Sequence, residues 1–179
     1  KLAADTVEKA LARTLKQAST AASAWTTIGR MRREAGQLAL AVEAARQGHA
    51  ADASAQGPVI LALSLYGAAS SELQPLVEKA MLGDVSPELR LAYARNLISQ
   101  QNNTDALQQL RRLNADKPEF AEGWLVHGLL LQETGQLKTA EQMLRQYVEL
   151  AKTAKNQEQT ASLTEAYWAL AYIAQRQGQ

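Results

Sequence analysis

His49 and His127 are the first side chains to weigh, because imidazole is the group that most readily moves protons or holds a metal near neutral pH. Neither stands in a pattern that does chemistry. No H-E-x-x-H pair sets two imidazoles on one helix face, no spaced aspartates form a calcium loop, and no glycine-rich phosphate loop occurs. G-x-S-x-G, the nucleophile elbow of hydrolases, is also absent. The chain has no cysteine, which removes disulfides, thiolate metal sites and cysteine nucleophiles together. His127 precedes Gly128 on an apolar helix face and reads as a core histidine with one hydrogen-bond partner. His49 falls just past a helix end, where its charge complements the helix dipole. Catalysis needs convergent polar groups. The expectation is therefore a protein with no reaction, no cofactor and no metal of its own.

Arginine is the other side chain here with binding chemistry, since its planar fork holds a carboxylate at two points. Lys1, Lys9, Arg13, Lys16, Arg30, Arg32, Arg33 and Arg46 give the first fifty residues a positive lean. Over all 179 residues, however, 19 basic side chains meet 18 acidic ones, for a net charge of +1. A nucleic-acid protein neutralises many phosphates from one basic face, so this balance argues against that class. The basic start is expected to be a solvated helix face.

These side chains must be carried on helices. Apolar residues make up 46% of the chain and aromatic ones only 5%, while Ala, Leu, Gln, Glu, Lys and Arg, all strong helix formers, fill it. Runs of Val, Ile and Thr with period two are missing, so nothing reads as a sheet. The fold class is all-α. No run of about 18 apolar residues exists, so no segment reads as a membrane span. The opening LAADTVEKAL lacks the apolar centre of a signal peptide. A cysteine-free chain suits cytoplasm and periplasm alike, and the compartment stays open.

Internal repetition is the strongest signal. Displaced by 34 residues, the segment from Pro87 falls on that from Ala121: Leu91 on Leu125, Ala94 on Gly128, Leu97 on Leu131, Ala106 on Ala140, Leu110 on Leu144. Displaced by 99, AWTTIGRMRREAGQLALAVEAARQ lies over GWLVHGLLLQETGQLKTAEQMLRQ. Trp25, Gly29, Glu34, Gly36, Gln37, Leu38, Ala41, Arg46 and Gln47 then meet identical residues at 124, 128, 133, 135, 136, 137, 140, 145 and 146. Each copy predicts a helix with Trp and a small residue four positions on, a break at Gly36 or Gly135 with φ above zero, and a second helix facing the first. Such a hairpin cannot bury its apolar face alone and needs neighbours. A shortened hairpin lies between: one helix from Pro58 to about Tyr66 with Gly67 after it, another from about Glu72 to Leu82, capped by Ser71 and stopped by Gly83. Near the end, Tyr167, Ala171, Ala174, Gly178 and Gln179 repeat Trp124, Gly128, Leu131, Gly135 and Gln136, 43 residues on.

Trp124, Gly128, Leu131, Gly135, Ala140, Leu144 and Tyr147, with Pro118 closing the preceding copy, stand where the tetratricopeptide repeat (TPR) family keeps its signature residues. The chain resembles that family closely over 87–152, well over 22–50, and loosely over 51–86 and 156–179. The resemblance implies an α-solenoid of antiparallel helix pairs winding as a right-handed superhelix. Residues 1–179 read as a single array and a fragment of a longer protein. Its repeats span about 22–52, 53–86 (irregular), 87–120, 121–154 and, in part, 164–179. Residues 1–21, and Asp5–Ala18 within them, read as the leftover second helix of a preceding repeat.

Family members bind partners in a concave groove lined by the first helix of each pair. Carried onto this chain, the groove positions of the resemblance include Arg30 and Arg33, with Thr26 and Glu34; Leu91 and Arg95, with Glu88, Ile98 and Ser99; Leu125, Leu129 and Gln132, with Glu122 and Glu133; and Trp168 and Tyr172, with Glu165, Gln175 and Arg176. Arg30, Arg33 and Arg95 suit the carboxylates of an extended peptide. Leu91, Leu125, Leu129, Trp168 and Tyr172 suit apolar anchors. The family's carboxylate clamp for chaperone tails uses Lys and Asn at the fifth and ninth positions. Thr26 and Arg30, or Leu91 and Arg95, replace them here, which argues against that role. The expected function is a non-enzymatic scaffold for a protein or peptide partner. The alternatives are self-assembly or a structural module of a larger multidomain protein, a helical module beside a catalytic domain, and RNA binding, which Glu88, Glu122, Glu133 and Glu165 oppose. The partner and the oligomeric state are not legible.

Overall fold

The computed structural model describes residues 18–153 and 158–178. Among them the chain is a succession of helices with no strand: α1 (Ala18–Glu34), α2 (Leu38–Ala51), α3 (Gln56–Ser64), α4 (Tyr66–Met81), α5 (Pro87–Ser99), α6 (Asn103–Asp116), α7 (Ala121–Glu133), α8 (Leu137–Thr153) and α9 (Glu158–Gln177). They form two compact units, one up to Ala92 and one from Tyr93 onward. The helix expected over 5–18 lies outside the described residues except for its last position. The described part of α1 begins at Ala18, and Ala21, Ala22 and Ala24 are buried in it.

In the N-terminal unit α1 packs on α2, α3 lies against both, and α4 packs on α3. Gly29 is where this packing is tightest. A Cβ on it would overlap the Leu61 side chain of α3 and stand 3.2 Å from the Ala44 Cβ of α2. Ala41, Val42, Ala45, Leu61, Ala62 and Leu65 form the core, with Leu76 packed against its edge. Gln56, the first residue of α3, ties down the loop before α5: its Nε2 donates to the Asp84 carbonyl, and its Oε1 accepts from the Ser86 N–H at 3.0 Å. The short hairpin departs from expectation at its turn. Only Leu65 separates α3 from α4, so Gly67 and Ser71 lie inside a helix and do not mark its boundary. A glycine within a helix costs only about 1 kcal/mol, less than the packing of a 16-residue helix returns.

In the C-terminal unit α6 packs on α7, α7 on α8, and α9 on both α8 and α7. Leu110, Leu113, Leu131, Leu144, Tyr147 and Ile173 are the largest of its fully buried side chains among the described residues, each Leu contributing about 1.5–3 kcal/mol. A Cβ on Gly128 would lie 2.6 Å from Leu144 Cγ, so this glycine admits α8 as Gly29 admits α2. Trp124 has a second task besides filling space. Its Nε1 donates to the Pro118 carbonyl at 2.8 Å, which pins the chain entering α7. Helix α6 is capped reciprocally: Asn102 Oδ1 accepts from the Asp105 N–H at 3.4 Å, and its Nδ2 donates to Asp105 Oδ2 at 2.7 Å.

Three hairpin turns share one backbone solution. Gly36 (φ 74°) and Gly135 (φ 81°) are left-handed, and the next residue donates back to the helix, Gln37 N–H to the Arg32 carbonyl and Gln136 N–H to Leu131, both at 2.8 Å. The α5–α6 turn uses the same bonds, Asn102 N–H to the Leu97 carbonyl at 2.9 Å, but places Gln101 (φ 61°) in the left-handed position. A side chain there costs about 1 kcal/mol relative to glycine. Gln101→Gly is therefore expected to stabilise the protein by about 1 kcal/mol, read as a higher urea midpoint with unchanged m-value.

Candidate interaction surfaces

The residues assigned to a groove by position divide into exposed and buried sets. Thr26 is buried and closes on its own helix, its Oγ1 donating to the Ala22 carbonyl at 2.8 Å. Leu91 and Leu125 are only 3% and 5% exposed. Both therefore serve the core and offer no face to a partner, which corrects their assignment as apolar anchors. Their Leu-on-Leu match in the 34-residue comparison was the sign of this, since matched leucines mark packing. Leu129 and Gln132 are half-buried, and Gln132 Oε1 is buried without a hydrogen-bond partner.

In the N-terminal unit Arg30 is exposed and Arg33 half-buried on the last turns of α1. Neither makes an ion pair with a described residue, so both guanidinium forks are available. Arg32, between them, instead donates from Nη1 to the Leu40 carbonyl at 3.4 Å. This unit also contains a hollow of about 520 Å³ lined by small residues together with His49, Gln56, Lys79 and Asp84. In the C-terminal unit Arg95 stands 3.8 Å from Glu122. Both side chains are well exposed, so the pair is worth a few tenths of a kcal/mol and yields readily to a partner's carboxylate.

Among the described residues, aromatic exposure is concentrated on α9. Trp168 is 74% exposed, Tyr167 51% and Tyr172 46%, although burying one such ring is worth several kcal/mol. Thr164, Tyr167, Trp168 and Ala171 bound a shallow hollow of about 350 Å³ on the same helix. Sequence position singled out Trp168 and Tyr172 but missed Thr164, Tyr167 and Ala171, because the family's groove pattern does not include them.

His127 is 5% exposed and holds a polar island in the core. Its Nδ1 lies 3.0 Å from Asn114 Nδ2; the amide donates, which leaves the ring proton on Nε2. That Nε2 and Asn114 Oδ1 are buried without partners. Burial first, then the nearby Arg111 charge, push the His127 pKa down to about 4. The ring is thus neutral at neutral pH. Among the described residues no three His, Asp or Glu gather to hold a metal ion. No described helix is long and apolar enough to cross a membrane.

Repeated hairpins with a left-handed turn, a small residue beneath the second helix and a large aromatic one turn earlier define a TPR-type α-solenoid. Three solved structures share it. YrrB, described as a TPR protein with an unusual peptide-binding site, matches 96% of this chain and 85% of its own, at 16% identity and a TM-score of 0.62. MamA matches 89% of this chain and 84% of its own, at 15% identity and 0.65. PilF of Pseudomonas aeruginosa matches 89% of this chain and 70% of its own, at 16% identity and 0.71. No protein-family model matches the sequence, and no curated protein is similar to it. At these identities the likeness establishes the fold.

The low pKa of His127 makes stability depend on pH. Unfolded, the ring titrates near 6.5; folded, near 4. Between those values the unfolded chain binds a proton that the native chain refuses, so the contribution is complete above pH 6.5 and is lost as pH falls through the window. Its ceiling is about 3 kcal/mol. Urea midpoints at pH 7.5 and 4.5 should differ markedly less in His127→Leu than in the parent, whatever the variant's absolute stability.

Proposed function

We propose that this chain is a non-enzymatic scaffold that binds protein or peptide partners through the exposed faces of its first helices. The observation that carries this reading is the aromatic face of α9, where three large rings stand exposed on one helix. Exposed apolar patches on an otherwise packed protein mark interaction sites, and aromatic side chains lead the residues that anchor partners. Arg30 and Arg33 in the N-terminal unit, and Arg95 in the other, add carboxylate recognition, and an acidic or carboxylate-rich segment is the complement they favour. YrrB, which has a peptide-binding site of its own, supports the reading by fold alone.

Capture from native lysate tests this with two variants. Trp168→Ala/Tyr172→Ala and Arg30→Ala/Arg33→Ala change exposed or half-buried side chains and should leave the helical circular dichroism intact. Each is expected to weaken a captured partner at least about ten-fold, the loss of one anchor's worth of 1–2 kcal/mol. Equal retention by parent and both variants would overturn the proposal.

A further inference from the structure

We propose that the hollow of the N-terminal unit binds a small zwitterion, an α-amino acid or a dipeptide. Lys79 and the start of α3 hold its carboxylate, and Asp84 holds its ammonium group. This goes beyond the scaffold reading and uses none of the residues that carry it.

The hollow is a corner where three consecutive helices end or begin. His49 comes from the last turn of α2, Gln56 from the start of α3 and Lys79 from the last turn of α4, with Asp84 in the loop that follows. Its volume of about 520 Å³ falls in the range of about 300–1,000 Å³ typical of small-molecule sites. Side-chain hydrogen bonds shape two of its walls. Asp52 accepts from the Ser54 N–H at 2.9 Å and from its Oγ at 2.6 Å, which sets the turn between α2 and α3. Gln56 grips the loop after α4 at the Asp84 carbonyl and the Ser86 N–H. That grip takes the backbone of Asp84 and leaves its carboxylate uncommitted.

The charges specify the ligand. Lys79 and Asp84 line the same hollow, both are exposed, and neither makes an ion pair with a described residue. Opposite charges that share a small space without pairing complement a molecule that carries both. Helix α3 strengthens the carboxylate end. Ala55 holds its capping position and offers no side-chain acceptor, so the first-turn N–H groups and the positive end of the helix dipole are left for an anion. His49 adds a third polar group. Its Nδ1 is buried without a hydrogen-bond partner, so the half-buried ring meets the hollow by its other edge, where Nε2 serves a ligand oxygen or amide. The rest of the lining is alanine, serine and glycine, which suits a short apolar side chain. A terminus of a longer polypeptide brings one charge, not two, and so matches half of this site.

L-alanine and L-alanyl-L-alanine are the probes. Titrated into the full chain, at least one should move the His49 ring Hε1 resonance, assigned by its loss in His49→Gln. The movement should saturate with a Kd of about 1 mM or tighter and leave the His127 resonance in place. Lys79→Gln and Asp84→Asn change exposed side chains and should preserve the circular dichroism, and each is expected to weaken the probe about five-fold or more. Capped dipeptides separate the two ends. N-acetyl-alanyl-alanine, without the ammonium group, should bind more weakly than the free dipeptide and equally to the parent and Asp84→Asn. Alanyl-alanine amide, without the carboxylate, should do the same with Lys79→Gln. No saturable movement by either probe at about 20 mM, well above that Kd, would overturn the proposal. So would probe binding that both variants retain in full, or capped forms that bind as tightly as the free dipeptide.

Discussion

Where Leu144 lies on Gly128, two helices meet with no side chain of the first between them, and the hairpins of this chain follow from that close approach. An α-helix with apolar residues on one face gains little until something covers it. Here the cover is the next helix in sequence, brought close because the covered residue is glycine. The arrangement fixes its neighbours in turn. A second helix so close needs a short, sharply reversing connection, and the left-handed turns at Gly36 and Gly135 supply one. It also needs a defined entry to the first helix, and the Trp124 indole holding the Pro118 carbonyl provides it. Gly29 repeats the arrangement with Ala44 and Leu61, and the smaller alanine leaves room for a third helix to share the notch.

Much of this was legible from residue types alone. A Trp, a small residue four positions later and a glycine seven beyond that describe one face of a helix and its end, and two copies of such a pattern 99 residues apart leave little freedom. The irregular hairpin was harder to read. Gly67 and Ser71 are breakers by statistics, yet both lie within α4, because a local preference of about 1 kcal/mol yields to a helix with somewhere to pack. Position rules for the surface failed for a related reason. Counting along a helix tells which residues share a stripe, but exposure depends on what lies across from it, and that is long-range information. Leu91 and Leu125 are buried by such neighbours, whereas Trp168 and Tyr172, on corresponding stripes, stand open. Nothing in the sequence marked Asn114 as the partner of His127, since the two come from different helices.

The surfaces are built on parts that do not need them. Arg30 and Arg33 project from a helix held to its neighbours at Gly29, and the rings of α9 stand on a helix anchored by Ala166, Ala169 and Ile173. Side chains carried this way can change without disturbing the core. The buried His127–Asn114 pair is the contrary case. It brings polar atoms into the interior with one hydrogen bond between them and two groups unmatched, so it adds specificity of packing at the expense of stability.

The turn at Gln101 has a kinetic meaning as well. Left-handed strain raises the native turn but is released once that turn opens, so the gap between closed and open is narrower there than at its glycine-capped counterparts. Asn102 and Asp105, by clasping the first turn of α6, hold the following helix together through such an opening. Of the three left-handed hairpin turns, the one at Gln101 therefore gives up least when it opens.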